Sequence, residues 1–196
     1  MGNVFNDRMI LVADDEEDIR EYVERVLESI SPNVDILTAA DGEEALKLIR
    51  ECVPDLVILD LKMPKMNGYA VLAELRKDER TRFVPVLILT GFAGGDVEAD
   101  VLDMGADGFI TKPISRMVLV AQVVALLRVK SNYDALASRA QATEKELAAF
   151  ANRVESVIGA AEVQRLRTSP ISDGNEDPDA TDVRLSEDLN VRRGDE

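Results

Sequence analysis

The sequence predicts a doubly wound α/β domain on a parallel sheet, followed by one long helix. Three observations predict it. Between residues 8 and about 113, short apolar runs alternate five times with stretches of helical spacing. The apolar runs are nearly continuous, as in strands covered on both faces. Residues 114 to about 158 contain no Gly or Pro, so nothing interrupts a helix there.

The elements follow in order. "RMILVAD" is a short apolar run ending in acid, and "EDIREYVERVLESI" has helical spacing at Ile19, Val23, Val26, Leu27 and Ile30. "VDILTAA" and "GEEALKLIREC" form the second strand and helix, "DLVILD" and "GYAVLAELRKD" the third. "VPVLILTG" is the fourth strand, "GDVEADVLDMG" a weaker fourth helix, and "DGFITKP" holds the fifth strand. Right-handed crossovers leave few topologies for such a chain.

The run after residue 114 is far longer than the ~10 to 14 residues of a common helix. A heptad fits it. Position a falls on Leu126, Tyr133, Ala140, Leu147, Val154 and Ala161; position d falls on Val129, Leu136, Thr143, Phe150, Val157 and Gln164. Only Thr143 and Gln164 break the apolar seam, which predicts a coiled coil and a homodimer. A helix folded back on its own domain is the competing reading. Residues 168–196 are acidic, lack aromatics and show no period, which predicts disorder. The predicted organisation is an N-terminal arm at 1–7, the α/β domain at 8–130, a helical extension at 131–167 and the acidic tail at 168–196.

Composition narrows the function. The formal net charge of −15 argues against a nucleic-acid surface. The single Cys52 excludes an intrachain disulfide and fits a reducing compartment. No apolar run reaches the ~20 residues needed to span a bilayer, and "MGNVFNDR" lacks a signal-peptide core. A cytoplasmic protein with no membrane or nucleic-acid partner is expected. The chain contains no histidine, so any chemistry rests on carboxylates, lysine, hydroxyls or a metal.

Parallel sheets bind ligands beyond the carboxyl ends of their strands. Strand one ends in Asp14-Asp15, strand three in Asp60 and strand four in Thr90, and Lys112-Pro113 follows strand five. Each has an ordinary explanation alone: a helix cap, a turn, a strand end, a surface lysine. Together they share one rim. Three carboxylates there repel, and a divalent cation removes the conflict; hard oxygen donors favour Mg²⁺. Asp60 is then a candidate nucleophile toward phosphorus, ionised without a general base. Lys112 supplies fixed charge, and the Thr90 hydroxyl can bond a phosphoryl oxygen.

These residues lie in "ADDEEDIR", "LDLKMPKMNGYAVL", "ILTG" and "GADGFITKPI". In order, over about residues 8 to 130, they resemble the receiver domain of bacterial two-component response regulators. The resemblance implies the flavodoxin-like strand order 2-1-3-4-5. It implies that Asp60 accepts a phosphoryl group from a sensor histidine kinase or histidine phosphotransfer protein. Asp14, Asp15, Asp60 and the main-chain carbonyl of Lys62 would hold Mg²⁺. Lys112 would bind the phosphoryl group, Thr90 and Phe109 would be the switch pair, and Lys112-Pro113 would be cis. Phe109 stands where the family often has Tyr, so its inward form makes no hydroxyl bond. Nothing after residue 130 resembles a family output domain, so protein contacts with a downstream partner are the expected output. A relay intermediate or phosphate sink is the alternative. A haloacid-dehalogenase-type phosphatase would need a second Asp where Lys62 stands.

Overall fold

The computed structural model describes residue 5 and residues 8–91 and 95–159. Ala161, Gln164 and the predicted acidic tail lie outside the described residues. In chain order the elements are β1 (Met9–Ala13), α1 (Glu17–Glu28), β2 (Asp35–Ala39), α2 (Gly42–Cys52), β3 (Leu56–Asp60), α3 (Gly68–Lys77), β4 (Val86–Thr90), α4 (Gly95–Asp103), β5 (Gly108–Thr111) and α5 (Arg116–Ile158). All four strand pairings are parallel, and the order is β2-β1-β3-β4-β5.

The period-2 geometry of a strand divides the core in two. Val57 and Leu59 of β3 and Val86 and Ile88 of β4 face Ala45 and Ile49 of α2 and Val71, Leu72 and Leu75 of α3. Leu56, Ile58, Leu87 and Leu89 face Val23 and Leu27 of α1 and Leu119, Val123 and Leu127 of α5. Every residue of β3 and β4 is buried, which is why these strands read as unbroken apolar runs. β2 is an edge strand, and its residues alternate less cleanly between buried and exposed.

Helix starts follow local chemistry. The Asp41 carboxylate accepts from Glu44 N at 2.9 Å, and Glu44 Oε2 accepts from Ala40 N at 2.9 Å, a reciprocal cap on α2. Asn67 caps α3 by accepting from Ala70 N at 2.9 Å. The α2 terminus is tied to the β3–α3 loop by the Lys65–Asp41 ion pair. Arg76 of α3 donates to the carbonyls of Gly105 and Val84 and to Asp107, joining the loops that precede β4 and β5.

Helix α5 contains 43 residues. Its first turns belong to the sheet's core, and this corrects one detail of the heptad reading. Leu126 is only 7% exposed, so the first predicted seam position is consumed by the domain itself. Beyond it Val129 and Leu136 are exposed, and Tyr133 stacks on Phe83 with ring centroids 4.6 Å apart. Arg82 lies over the same Phe83 ring. Farther along the chain, Leu147, Phe150 and Val157 are exposed. Among the described residues no helix is long and apolar enough to cross a membrane.

Candidate functional site: an acidic rim around Lys112

Four strands deliver the rim. Asp14 and Asp15 follow β1 directly, Asp60 closes β3, Thr90 closes β4, and Lys112 follows β5. The backbone holds the ends in register: Asp14 N donates to Ala39 O at 3.1 Å and Lys112 N to Thr90 O at 2.7 Å. The Lys112–Pro113 peptide is cis. Gly68 opens α3 tight against β3, since a Cβ there would fall 2.2 Å from Asp60 O. That contact leaves room only for glycine.

The side chains converge. One carboxylate oxygen from each of Asp14, Asp15 and Asp60 lies within 4.8 Å of the others. Lys112 Nζ stands 2.9 Å from Asp14 Oδ2 and 3.2 Å from Asp60 Oδ1. Asp60 Oδ2 accepts from Lys62 N at 2.7 Å, and Asp14 Oδ1 accepts from Glu16 N at 3.0 Å. Asp14, Asp60 and Thr90 are buried; Asp15 is exposed. A cleft of about 260 Å³ is lined by Asp15, Glu16, Asp60, Lys62, Gly91 and Lys112. Tyr69 and Asn67 line a neighbouring open cleft with Asp15 and Lys62.

Burial drives the electrostatics. Burial pushes the Asp60 carboxyl above the usual carboxylate range, the Asp14 charge pushes it further, and Lys112 pulls back. Burial also raises Asp14, against the lowering effect of Lys112. Burial opposes the charged form of Lys112, but the close carboxylates of Glu16, Asp14 and Asp60 override it and hold the ammonium charged.

The donor set fits a hard divalent cation. Asp14 Oδ2 is buried and receives no hydrogen bond, although the Lys112 ammonium is close by. That one ammonium is shared among the carboxylates of Asp14, Glu16 and Asp60, which leaves excess negative charge for a cation to offset. With Asp15 and Asp60 beside it, the donors are all oxygen, as Mg²⁺ prefers.

Thr90 and Phe109 share a face of the sheet. Thr90 continues the row of Val86 and Ile88, and Phe109 packs against that same layer. Ile88 is the register partner of Phe109, so the two candidate switch residues stand on adjacent strands.

Glu16 was not foreseen. Its carboxylate accepts a hydrogen bond from Lys112 at 2.8 Å, and in the sequence it was only a third acid after Asp14-Asp15. The reach of an exposed glutamate across a sheet end leaves no sequence signal beyond that adjacency.

Residues 10–124 match the response regulator receiver domain family. A probable transcriptional regulator, ycf27, of Guillardia theta is 44% identical over 131 residues, which cover 66% of this chain and 48% of that protein. The response regulator PleD of Caulobacter vibrioides is 37% identical over 130 residues, covering 66% of this chain and 28% of the relative. The chain thus spans half or less of the length of these relatives. Among solved structures, the receiver domain of a putative LuxO repressor protein from Vibrio parahaemolyticus superposes with a TM-score of 0.61 at 26% identity, over 66% of this chain and 96% of that one. The chemotaxis response regulator CheY4 of Vibrio cholerae gives 0.57 at 28% identity, over 61% and 98%. A family match across most of the α/β domain and a shared strand order lead to one conclusion: the chain belongs to the response regulator receiver domain family.

Proposed function

We propose that the protein is a phosphorylation-switched response regulator whose phosphoacceptor is Asp60. The observation that carries this is the placing of a buried strand-end carboxylate 3.2 Å from the ammonium of Lys112, with Asp14 and Asp15 alongside. In the reaction, an Asp60 carboxylate oxygen attacks the phosphorus of a kinase phosphohistidine. The new O–P bond forms as the P–N bond breaks, and the imidazole leaves with its electron pair. Asp14, Asp15, Asp60 and the carbonyl of Lys62 would hold Mg²⁺, which neutralises charge on the transferring group. Lys112 supplies the second positive charge, fixed before the donor arrives. The Thr90 hydroxyl gains a charge-assisted bond only in the phosphorylated form, so that form alone is favoured, and Phe109 follows it inward.

The domain reading places the receiver at 8–130, with the output carried by protein contacts of the receiver and the extension at 131–167, including a homodimer through the heptad. Exposed Val129, Leu136, Leu147, Phe150 and Val157 support such contacts. A formal charge of −15 supports a protein rather than a nucleic-acid partner, although the Guillardia theta relative is named a probable transcriptional regulator. A cytoplasmic location fits a kinase donor. A phosphate sink without output remains the alternative, and removing residues 131–196 separates the two: a sink keeps its function without them.

The direct test is labelling with acetyl phosphate in Mg²⁺. The wild type takes up one acid-labile phosphoryl group, and Asp60→Asn takes up none. Acid-stable label on a Ser or Thr, or undiminished labelling in excess chelator, overturns the reading.

A further inference from the structure

The contacts on Lys112 are unequal. Its hydrogen bond at 2.8 Å runs outward to Glu16 Oε1, whereas Asp14 Oδ2 at 2.9 Å receives none and Asp60 Oδ1 stands farther away at 3.2 Å. The side chains of Asp14 and Asp60 are 0% and 5% exposed, and that of Glu16 is 61% exposed. Glu16 occupies the N-cap position of α1, yet its side chain makes no capping bond. Its carboxylate is committed to Lys112 instead.

We propose that Glu16 is a positioning residue that holds Lys112 in the resting site and competes with the incoming phosphoryl oxygens for it. This rests on Asp60 being the phosphoacceptor. A phosphoryl group on Asp60 brings new anionic oxygens to the inner side of the ammonium, and Lys112 must turn its donors toward them. The acceptor it gives up is the one that water can replace. Glu16 is exposed and rehydrates at the surface, whereas Asp14 is buried out of reach of water. Glu16 therefore sets how readily Lys112 is released to the phosphoryl group. It lowers the affinity of the resting site for a phosphoryl-like anion, and it retains the lysine near Asp60 when none is there.

The test is calorimetric titration of the full chain with beryllofluoride, a phosphoryl mimic, in saturating Mg²⁺. Glu16→Gln removes the charge on the latch. Glu17→Gln removes an equal charge one residue farther on, in the first turn of α1, where no Lys112 contact is made among the described residues. Glu16→Gln is expected to bind beryllofluoride about two- to fivefold more tightly than Glu17→Gln, the range of one partly exposed ion pair. Glu16→Asp keeps the charge but shortens the reach, and is expected to fall between wild type and Glu16→Gln. In metal-free protein, ¹⁵N NMR of the Lys112 ammonium supplies a second readout: its proton exchange speeds up in Glu16→Gln and not in Glu17→Gln. Equal affinities in the two Gln variants, or weaker binding in Glu16→Gln, overturns the proposal. Acetyl phosphate labelling in parallel separates the two failures. Label on wild-type Asp60 with no Glu16-specific change sinks the latch alone, while an unlabelled wild type sinks the Asp60 reading.

Discussion

Gly68 lies directly beneath Asp60: a Cβ on Gly68 would meet the Asp60 carbonyl oxygen at 2.2 Å and the Leu61 Cα at 2.9 Å. Both obstacles are backbone, so no side chain can swing aside. Gly68→Ala is expected to shift the end of β3 and cost about 1–3 kcal/mol of stability, the usual range for overpacking. Urea denaturation measures the loss, and acetyl phosphate labelling should slow along with it, because the displaced atoms carry the proposed acceptor carboxylate.

Asp60→Asn should stabilise the metal-free protein at neutral pH by about 1 kcal/mol, as is common when a functional site's strain is relieved. The sign follows from the raised pKa of Asp14 and of Asp60, both driven first by burial. A carboxyl raised in the fold favours its protonated form there. Its stabilising contribution is full below the ordinary value of 3.8 and is lost as pH rises through the raised folded value. Wild type therefore loses stability over that interval and the Asn variant loses less. The gap between their melting temperatures should be widest near neutrality and shrink toward pH 4. Saturating Mg²⁺ should close it by raising wild type selectively. A gap that widens on acidification would contradict this account.

Thr90→Ala should leave Asp60 open to labelling but uncouple it from Phe109. The two residues share a sheet face, so a movement of the hydroxyl toward a phosphoryl group would open space on the Phe109 side. ¹³C NMR of the Phe109 ring, with and without beryllofluoride, checks this. The ring shift should be present in wild type and largely absent in Thr90→Ala.

Leu147→Asp/Val154→Asp should convert a dimer to a monomer by sedimentation in the tens of micromolar range. Both positions lie on the apolar seam of the heptad, where a buried carboxylate has no partner. Arg139 at g and Glu144 at e form no ion pair with one another among the described residues, and a parallel partner would supply each with its opposite charge. A wild type that sediments as a monomer in both phosphorylation states removes the dimer.

The sheet was legible because β3 and β4 are buried on both faces and leave uninterrupted apolar runs such as "LVILD" and "VLILT". The rim was legible because polar groups stop those runs abruptly at Asp14, Asp60 and Thr90. The use of Leu126 was not. A heptad and a core-facing helix stripe both place an apolar residue there, and only packing against the sheet decides between them. Glu16 was hidden for the opposite reason: its partner is 96 residues away, and an exposed acid beside two others has no pattern of its own. The Lys65–Asp41 tie escaped for the same reason, although Asp41 alone could be read as a helix cap.

The three tyrosines stand at three separate stations in a chain without tryptophan. Tyr22 donates its hydroxyl to the carbonyl of Ile114, just past the cis proline; Tyr69 lines the cleft beside Asp15 and Lys62; Tyr133 stacks on Phe83. Their emission is therefore readable without a dominant indole. With Phe at the other two positions, a protein retaining Tyr69 becomes an optical gauge of the cleft beside Asp15, where the proposed cation would arrive. One retaining Tyr133 reports on the helix at its contact with the loop before β4. The native chromophores divide the domain into independently watched compartments, so the order of events after phosphorylation can be timed without attaching a dye.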